Sequence, residues 1–162
     1  MSDKRDGGKA AIAAEAWGAL LDLTMAQRNR FFRIVQEFGL TPGDLRALSA
    51  LDHDTARPMR TLARAWACDA SNVTWIIDRL ERRGLVERQM LASDRRVKTV
   101  ALTPLGASTK AELFTRLHEP PADLLALDRA TLQALRDALA GLPASLRTSG
   151  PPDSVSPHRL RA

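Results

Sequence analysis

Three consecutive residues, Asp94, Arg95 and Arg96, set two guanidinium groups beside a carboxylate. A guanidinium grips anions as a planar fork, and a nearby aspartate can hold it in a bidentate pair, so that less rotamer freedom is lost on binding. Upstream, Ser71, Asn72, Thr74, Trp75 and Arg79 crowd a short run. At about 100° per residue, Val73, Ile76, Ile77 and Leu80 fall on one side of a helix. Ser71, Trp75, Asp78 and Arg82 fall opposite, flanked by Asn72, Thr74 and Arg79. The outward groups can hydrogen-bond to base edges and phosphates, and such a helix fits the major groove of a duplex with its N-terminal residues nearest the bases. Arg57, Arg60 and Arg64 precede it and suit phosphate, giving affinity without sequence information. Asp78 and Glu81 would repel phosphate if they faced it.

Other chemistries find no support. His53, His118 and His158, with the single Cys68, have no metal-ligand spacing. His53 lies between Asp52 and Asp54, but no nucleophile accompanies it, and neither a phosphate loop nor a dinucleotide fingerprint occurs. No catalytic residue, metal or cofactor is expected. One cysteine allows no internal disulfide, which fits a reducing compartment.

The distribution of charge agrees with an anionic partner. The chain carries 24 Lys and Arg against 19 Asp and Glu. Residues 57–102 hold ten of those cations and only five of the acids, leaving 14 of each elsewhere, so this stretch carries the whole excess. Asp6, Glu15 and Asp22 interrupt the alanine-rich N-terminus before it reaches the run of about seven apolar residues that a signal peptide needs. Nothing approaches the run of about 18 for a membrane span. A soluble, cytoplasmic protein is expected.

The elements that must position these groups can be read from the apolar spacing. Residues 1–9 read as a flexible tail. From 10 to 38, Trp17, Leu20, Leu21, Thr24, Phe31, Ile34, Val35 and Phe38 recur at helical intervals, with Gly39 as the stop. Thr41-Pro42-Gly43-Asp44 opens a second helix that turns Leu45, Leu48 and Leu51 inward. A third fits 60–67. Cys68-Asp69-Ala70 is a break, with Asp69 placed to cap a fourth helix over 71–83, closed by Gly84. Residues 85–91 and 97–102 alternate as strands joined by a charged turn over 92–96. Thr103-Pro104 starts a fifth helix, which Pro120-Pro121 must end or kink. Asp128 starts a last one with Leu132, Leu135, Leu139 and Leu142 on one stripe. Residues 143–162, rich in Pro, Ser and Arg, read as disordered.

Helix, short turn, helix and two-stranded ribbon make a winged helix-turn-helix, and the details resemble one family. Residues 72–86 (NVTWIIDRLERRGLV) are similar to the recognition helix and first wing strand of the MarR family. Asp94-Arg95-Arg96 matches its Asp-x-Arg wing motif, and Leu102-Thr103-Pro104-Leu105-Gly106 its Leu-Thr-x-x-Gly exit. The similarity extends over about residues 10–142. It implies a mainly α (α+β) fold, with long N- and C-terminal dimerisation helices and a small antiparallel wing. Residues 10–56 and 103–142 would form the dimerisation region and 57–102 the DNA-binding lobe. A homodimer is expected independently, because the first helix and the last leucine stripe are too apolar to stand uncovered.

The family's roles pass to matching positions: Arg96 in the minor groove with Asp94 orienting it and Arg95 beside it, and Ser71, Asn72, Thr74, Trp75 and Arg79 in the major groove. Trp75 has two options, packing on a thymine methyl or folding back on Trp66. The expected function is sequence-specific binding of a pseudo-palindromic operator in double-stranded DNA, with repression by occupying a promoter. Many members release DNA when a small anionic aromatic effector enters a cleft, which here would involve Trp17, Leu21, Arg28, His53 and His118. The break at Pro120-Pro121 departs from the family's usual long fifth helix. Cys68 reads as a small buried residue rather than a redox sensor. The competing reading is a winged helix that docks an acidic protein through its basic ribbon.

Overall fold

The computed structural model describes residues 3–66, 68–91 and 94–147, with backbone alone for 3–6, 91, 94–96, 145 and 147. Helix α1 (Asp3–Glu37) begins seven residues ahead of the expected start at residue 10, so the supposed tail is helical from Asp3 on. At about 1.5 Å per residue it is roughly 50 Å long. Only its C-terminal end is rooted, through buried Ile34 and Val35. Ile12, Trp17, Leu21, Leu23, Met25, Phe31 and Phe32 are exposed along the rest.

Helix α2 (Pro42–Ala50) starts in a complete capping box. The Thr41 hydroxyl accepts from the Asp44 amide, and the Asp44 carboxylate accepts from the Thr41 amide at 2.8 Å. A strand unseen in the sequence, β1 (Arg57–Pro58), leads into α3 (Met59–Trp66). Ala67 lies outside the described residues. Helix α4 (Ala70–Arg82) buries Val73, Ile76, Ile77 and Leu80, the face its wheel predicts. Asp69 stands at its N-cap with extended backbone, but the carboxylate makes no capping bond.

The wing is a three-stranded antiparallel sheet in the order β1-β3-β2, with β2 spanning Val86–Leu91 and β3 spanning Asp94–Leu102. Strand β3 takes in Asp94, Arg95 and Arg96, which the sequence places in the turn; Ala92 and Ser93 lie outside the described residues. The register steps from Met90↔Lys98 to Leu91↔Asp94, so Arg95, Arg96 and Val97 form an insertion on β3 at the far end of the ribbon. At the near end Val86, Val100 and Leu102 enter one core with Leu40, Ala47, Leu48, Leu51, Leu62, Trp66, the α4 face and Leu113. That core runs across the boundary expected at Arg57: α2 and the end of α1 pack with the winged helix.

Helix α5 (Pro104–His118) is capped by Thr103 and stops before Pro120, with Glu119 already extended (φ −57°, ψ 122°), as a residue ahead of proline prefers. After α6 (Ala122–Leu125), α7 (Arg129–Ala140) buries no residue, and Leu135 and Leu139 lie exposed. The short α8 (Ala144–Arg147) falls in the segment expected to be disordered; residues 148–162 lie outside the described part.

The α7 cap makes a pH-dependent contribution. The Asp128 carboxylate accepts from the Thr131 hydroxyl and amide and the Ala130 amide, which favour its charged form and lower its pKa. A depressed folded-state value means the cap is fully formed above the ordinary aspartate range and is lost as pH falls through the folded value. In an NMR titration the Ala130 and Thr131 amide shifts should move below that range. Movement at the ordinary aspartate pH would disprove the cap.

Candidate nucleic-acid interface

The face of α4 turned away from the core carries Ser71, Asn72, Thr74, Trp75, Asp78 and Arg82, all exposed. The Thr74 hydroxyl donates to the Ala70 carbonyl at 2.9 Å, which fixes its rotamer. Trp75 is 57% exposed, and Trp66 is 6% exposed in the core. Of the two options for Trp75, the structure has the outward one.

Arg79 differs from its neighbours on this face. Its Nε and Nη2 donate to Asp44 Oδ1 at 3.0 and 2.5 Å, Nη2 also donates to the Thr41 hydroxyl, and its guanidinium lies 4.3 Å from the Trp75 ring centroid. Sequence reading had it free to meet DNA; the structure gives it a packing partner on α2 and a stacking partner on its own helix.

Asp78 and Glu81, the two acids that would oppose phosphate, are both taken up by Arg88 of β2. Its Nη2 pairs with Asp78 and its Nη1 with Glu81, and its backbone amide donates to Glu81 Oε1. One guanidinium thus offsets half of the charge of the two acids and ties the wing to the helix beside it. On the other flank, Arg83 donates to the carbonyls of Phe38 and Gly39 at 2.8 and 2.5 Å. Sequence reasoning missed Arg83 and Arg88. The signal for Arg88 was present, in two acids one turn apart on an otherwise cationic helix, which demand a cation.

The remaining candidates are scattered around this centre. Arg60 and Arg64 are exposed on α3, and Arg57 on β1 lies 3.7 Å from Asp52. The side chains of Asp94, Arg95 and Arg96, with their expected pairing and reach, lie outside the described part. Of the effector candidates, His53 shares its Nδ1 with the Leu102 carbonyl at 2.8 Å and borders a cavity of about 270 Å³ with Lys110 and Phe114. His118 contacts the Phe114 ring at 5.8 Å between centroids. Trp17, Leu21 and Arg28, exposed along α1, do not line that cavity. No group of three or more His, Cys, Asp or Glu that could hold a metal occurs among the described residues, and none of their helices is long and apolar enough to cross a membrane.

An apolar-backed helix with a polar outward face, locked to a β ribbon, defines a winged helix-turn-helix. Residues 40–98, little more than a third of the chain, match the MarR family, so this winged-helix segment is similar to that family. The chain is 35% identical over 91 residues to the HTH-type transcriptional regulator YcgE of Bacillus subtilis, a match covering 55% of this chain and 58% of that one. The chain thus spans little more than half the length of the curated relatives it matches. Its fold superposes on YusO of Bacillus subtilis with a TM-score of 0.68 at 23% identity, covering 81% of this chain and 94% of that one. It also superposes on NadR in complex with 4-hydroxyphenylacetate, with a TM-score of 0.55 at 26% identity, covering 75% and 87% of the two chains. The curated relatives are named as HTH-type transcriptional regulators.

Proposed function

We propose that the protein regulates transcription by binding a specific duplex sequence as a homodimer, with α4 in the major groove and the tip of the β2–β3 ribbon in the adjacent minor groove. The two-faced α4 carries this reading: its apolar side is wholly buried while Ser71, Asn72, Thr74 and Trp75 stand outward, and Arg88 holds the two acids that would repel phosphate and offsets half of their charge. The exposed apolar residues of α1 and the leucines of α7 support dimerisation, since faces of that size on a soluble regulator call for a partner. Two-fold symmetry then asks for an inverted repeat with half-site centres about 10 bp apart. Covering a promoter in the cytoplasm represses it without any contact to polymerase.

Selection from a random duplex pool tests this. The expected outcome is an enriched inverted repeat, a dimer in solution, and affinity falling by about 0.9 log units per log unit of salt for each phosphate neutralised. Arg96→Ala should weaken operator binding by about 1–3 kcal/mol. A monomer that enriches no sequence at low salt would end the reading.

The cavity at Asp52, His53, Lys110 and Phe114 combines an aromatic wall with a lysine that pairs with Asp52 at 3.4 Å, and a small aromatic anion would compete with Asp52 for it. The NadR complex supports that ligand class. Titrating 4-hydroxyphenylacetate into the protein–operator complex should release DNA; unchanged binding at millimolar concentration removes this effector.

A further inference from the structure

Trp75 is exposed, yet it has somewhere to hide. It borders a cavity of about 370 Å³ beside α4, which Trp66, Pro42 and Ile76 also line. Arg46 and Asn72 line it as well, but an exposed indole next to a gap with apolar walls on one side gains by turning into it, because burying an aromatic side chain is favourable. Some interaction has to hold the ring outward.

The structure supplies one, in three links. Asp44 is 1% exposed, and its Oδ2 is fixed by the Thr41 amide and hydroxyl at 2.8 and 2.9 Å in the α2 capping box. Its Oδ1 then takes Nε and Nη2 of Arg79, orienting the guanidinium through two donors rather than one. The guanidinium so fixed stands over the Trp75 ring, a cation–π contact that rewards the outward rotamer. A cap on one helix thereby sets a side chain on another, 31 positions away in the chain.

Resting on the DNA-binding reading above, we propose that Asp44 is a positioning residue for sequence recognition. It touches no DNA, and it keeps the Trp75 indole presented to the bases by holding Arg79 over the ring. Arg79 acts in the same chain and reads no base itself.

Fluorine NMR and binding measurements on the full chain test this together. With 5-fluorotryptophan incorporated, the three tryptophans give three resonances, and Trp75→Phe identifies that of Trp75. In Asp44→Asn the Trp75 line should move while that of Trp17 stays. Affinity for the selected duplex should fall about tenfold, the scale of one lost base contact, with non-specific affinity and salt slope unchanged. In a Trp75→Ala background Asp44→Asn should cost nothing further. Arg79→Lys keeps a cation opposite Asp44, and with it the fold, but loses the two-pronged hold; it should reproduce the same loss. The proposal is overturned by a Trp75 line unmoved in Asp44→Asn, by an equal loss in the Trp75→Ala background, or by wild-type behaviour of Arg79→Lys. A wild-type chain that selects no duplex sinks the regulator reading as well, whereas selection with an unmoved line sinks this proposal alone.

Discussion

Arg79→Ala should lower the unfolding free energy by about 3–5 kcal/mol, the cost of removing one member of a buried ion pair. The Asp44 side chain is 1% exposed and its Oδ1 meets only Arg79 among the contacts described, so truncation strands a carboxylate where water cannot replace the guanidinium. Arg79 itself is 22% exposed, enough to soften the loss slightly and not enough to erase it. Arg82, three residues along the same helix and exposed, makes a long 3.4 Å bond to the Asp78 carbonyl; Arg82→Ala should change stability by less than about 0.5 kcal/mol. Urea denaturation of the two variants decides the matter. Equal midpoints would show that Asp44 is solvated after all and that the α2–α4 tie carries little energy.

A comparable effect is expected at Gly106, for a steric rather than an electrostatic reason. A Cβ there would lie 1.8 Å from the Leu85 carbonyl oxygen and 2.8 Å from its carbon. Both atoms are backbone, and the same oxygen accepts from the Thr103 amide at 3.1 Å, so it cannot retreat without giving up that bond. Leu85 in turn follows Gly84, whose φ of +69° turns the chain from α4 into the wing, and the Thr103 hydroxyl donates to the Gly84 carbonyl at 2.6 Å. Helix α5 therefore sits against the helix–wing junction with no room for a methyl group. Gly106→Ala should cost about 3 kcal/mol or more and lower the melting temperature by about 10 °C. Ser108→Ala, exposed two residues on, serves as the control and should melt like wild type. A Gly106→Ala variant with an unchanged melting point would mean that α5 shifts freely, and the packing argument would fail.

The parts of the fold that could be read beforehand are those governed by local rules. The buried side of α4 follows from 3.6-residue periodicity, and the Thr41, Thr103 and Asp128 helix starts follow from side chains that reach only two or three residues. Pairings across the chain follow no such rule: Asp44 meets Arg79 at a separation of 35 residues, and Arg83 meets Gly39 at 44. Strand β1 escaped notice because two residues, one of them proline, show no alternation. The turn over 92–96 was drawn too long because a charged, polar run looks the same whether it loops or bulges. The Asp44 partner of Arg79 could not be read because an arginine on an outward helix face carries no mark of a partner on another helix. The start of α1 was missed because Gly7 and Gly8 argue against helix locally, at about 1 kcal/mol each.

Helix α1 is a beam clamped at one end. Its free span reaches roughly 50 Å from the buried Ile34 and Val35, and the carbonyls just past its end are gripped by Arg83 at the close of α4. By simple leverage, a swing of about 5 Å at the far tip corresponds to only some 6° at the clamp. Whatever seizes the distal half of that beam acts on the end of α4 through this clamp, turning a coarse displacement into a small change of angle.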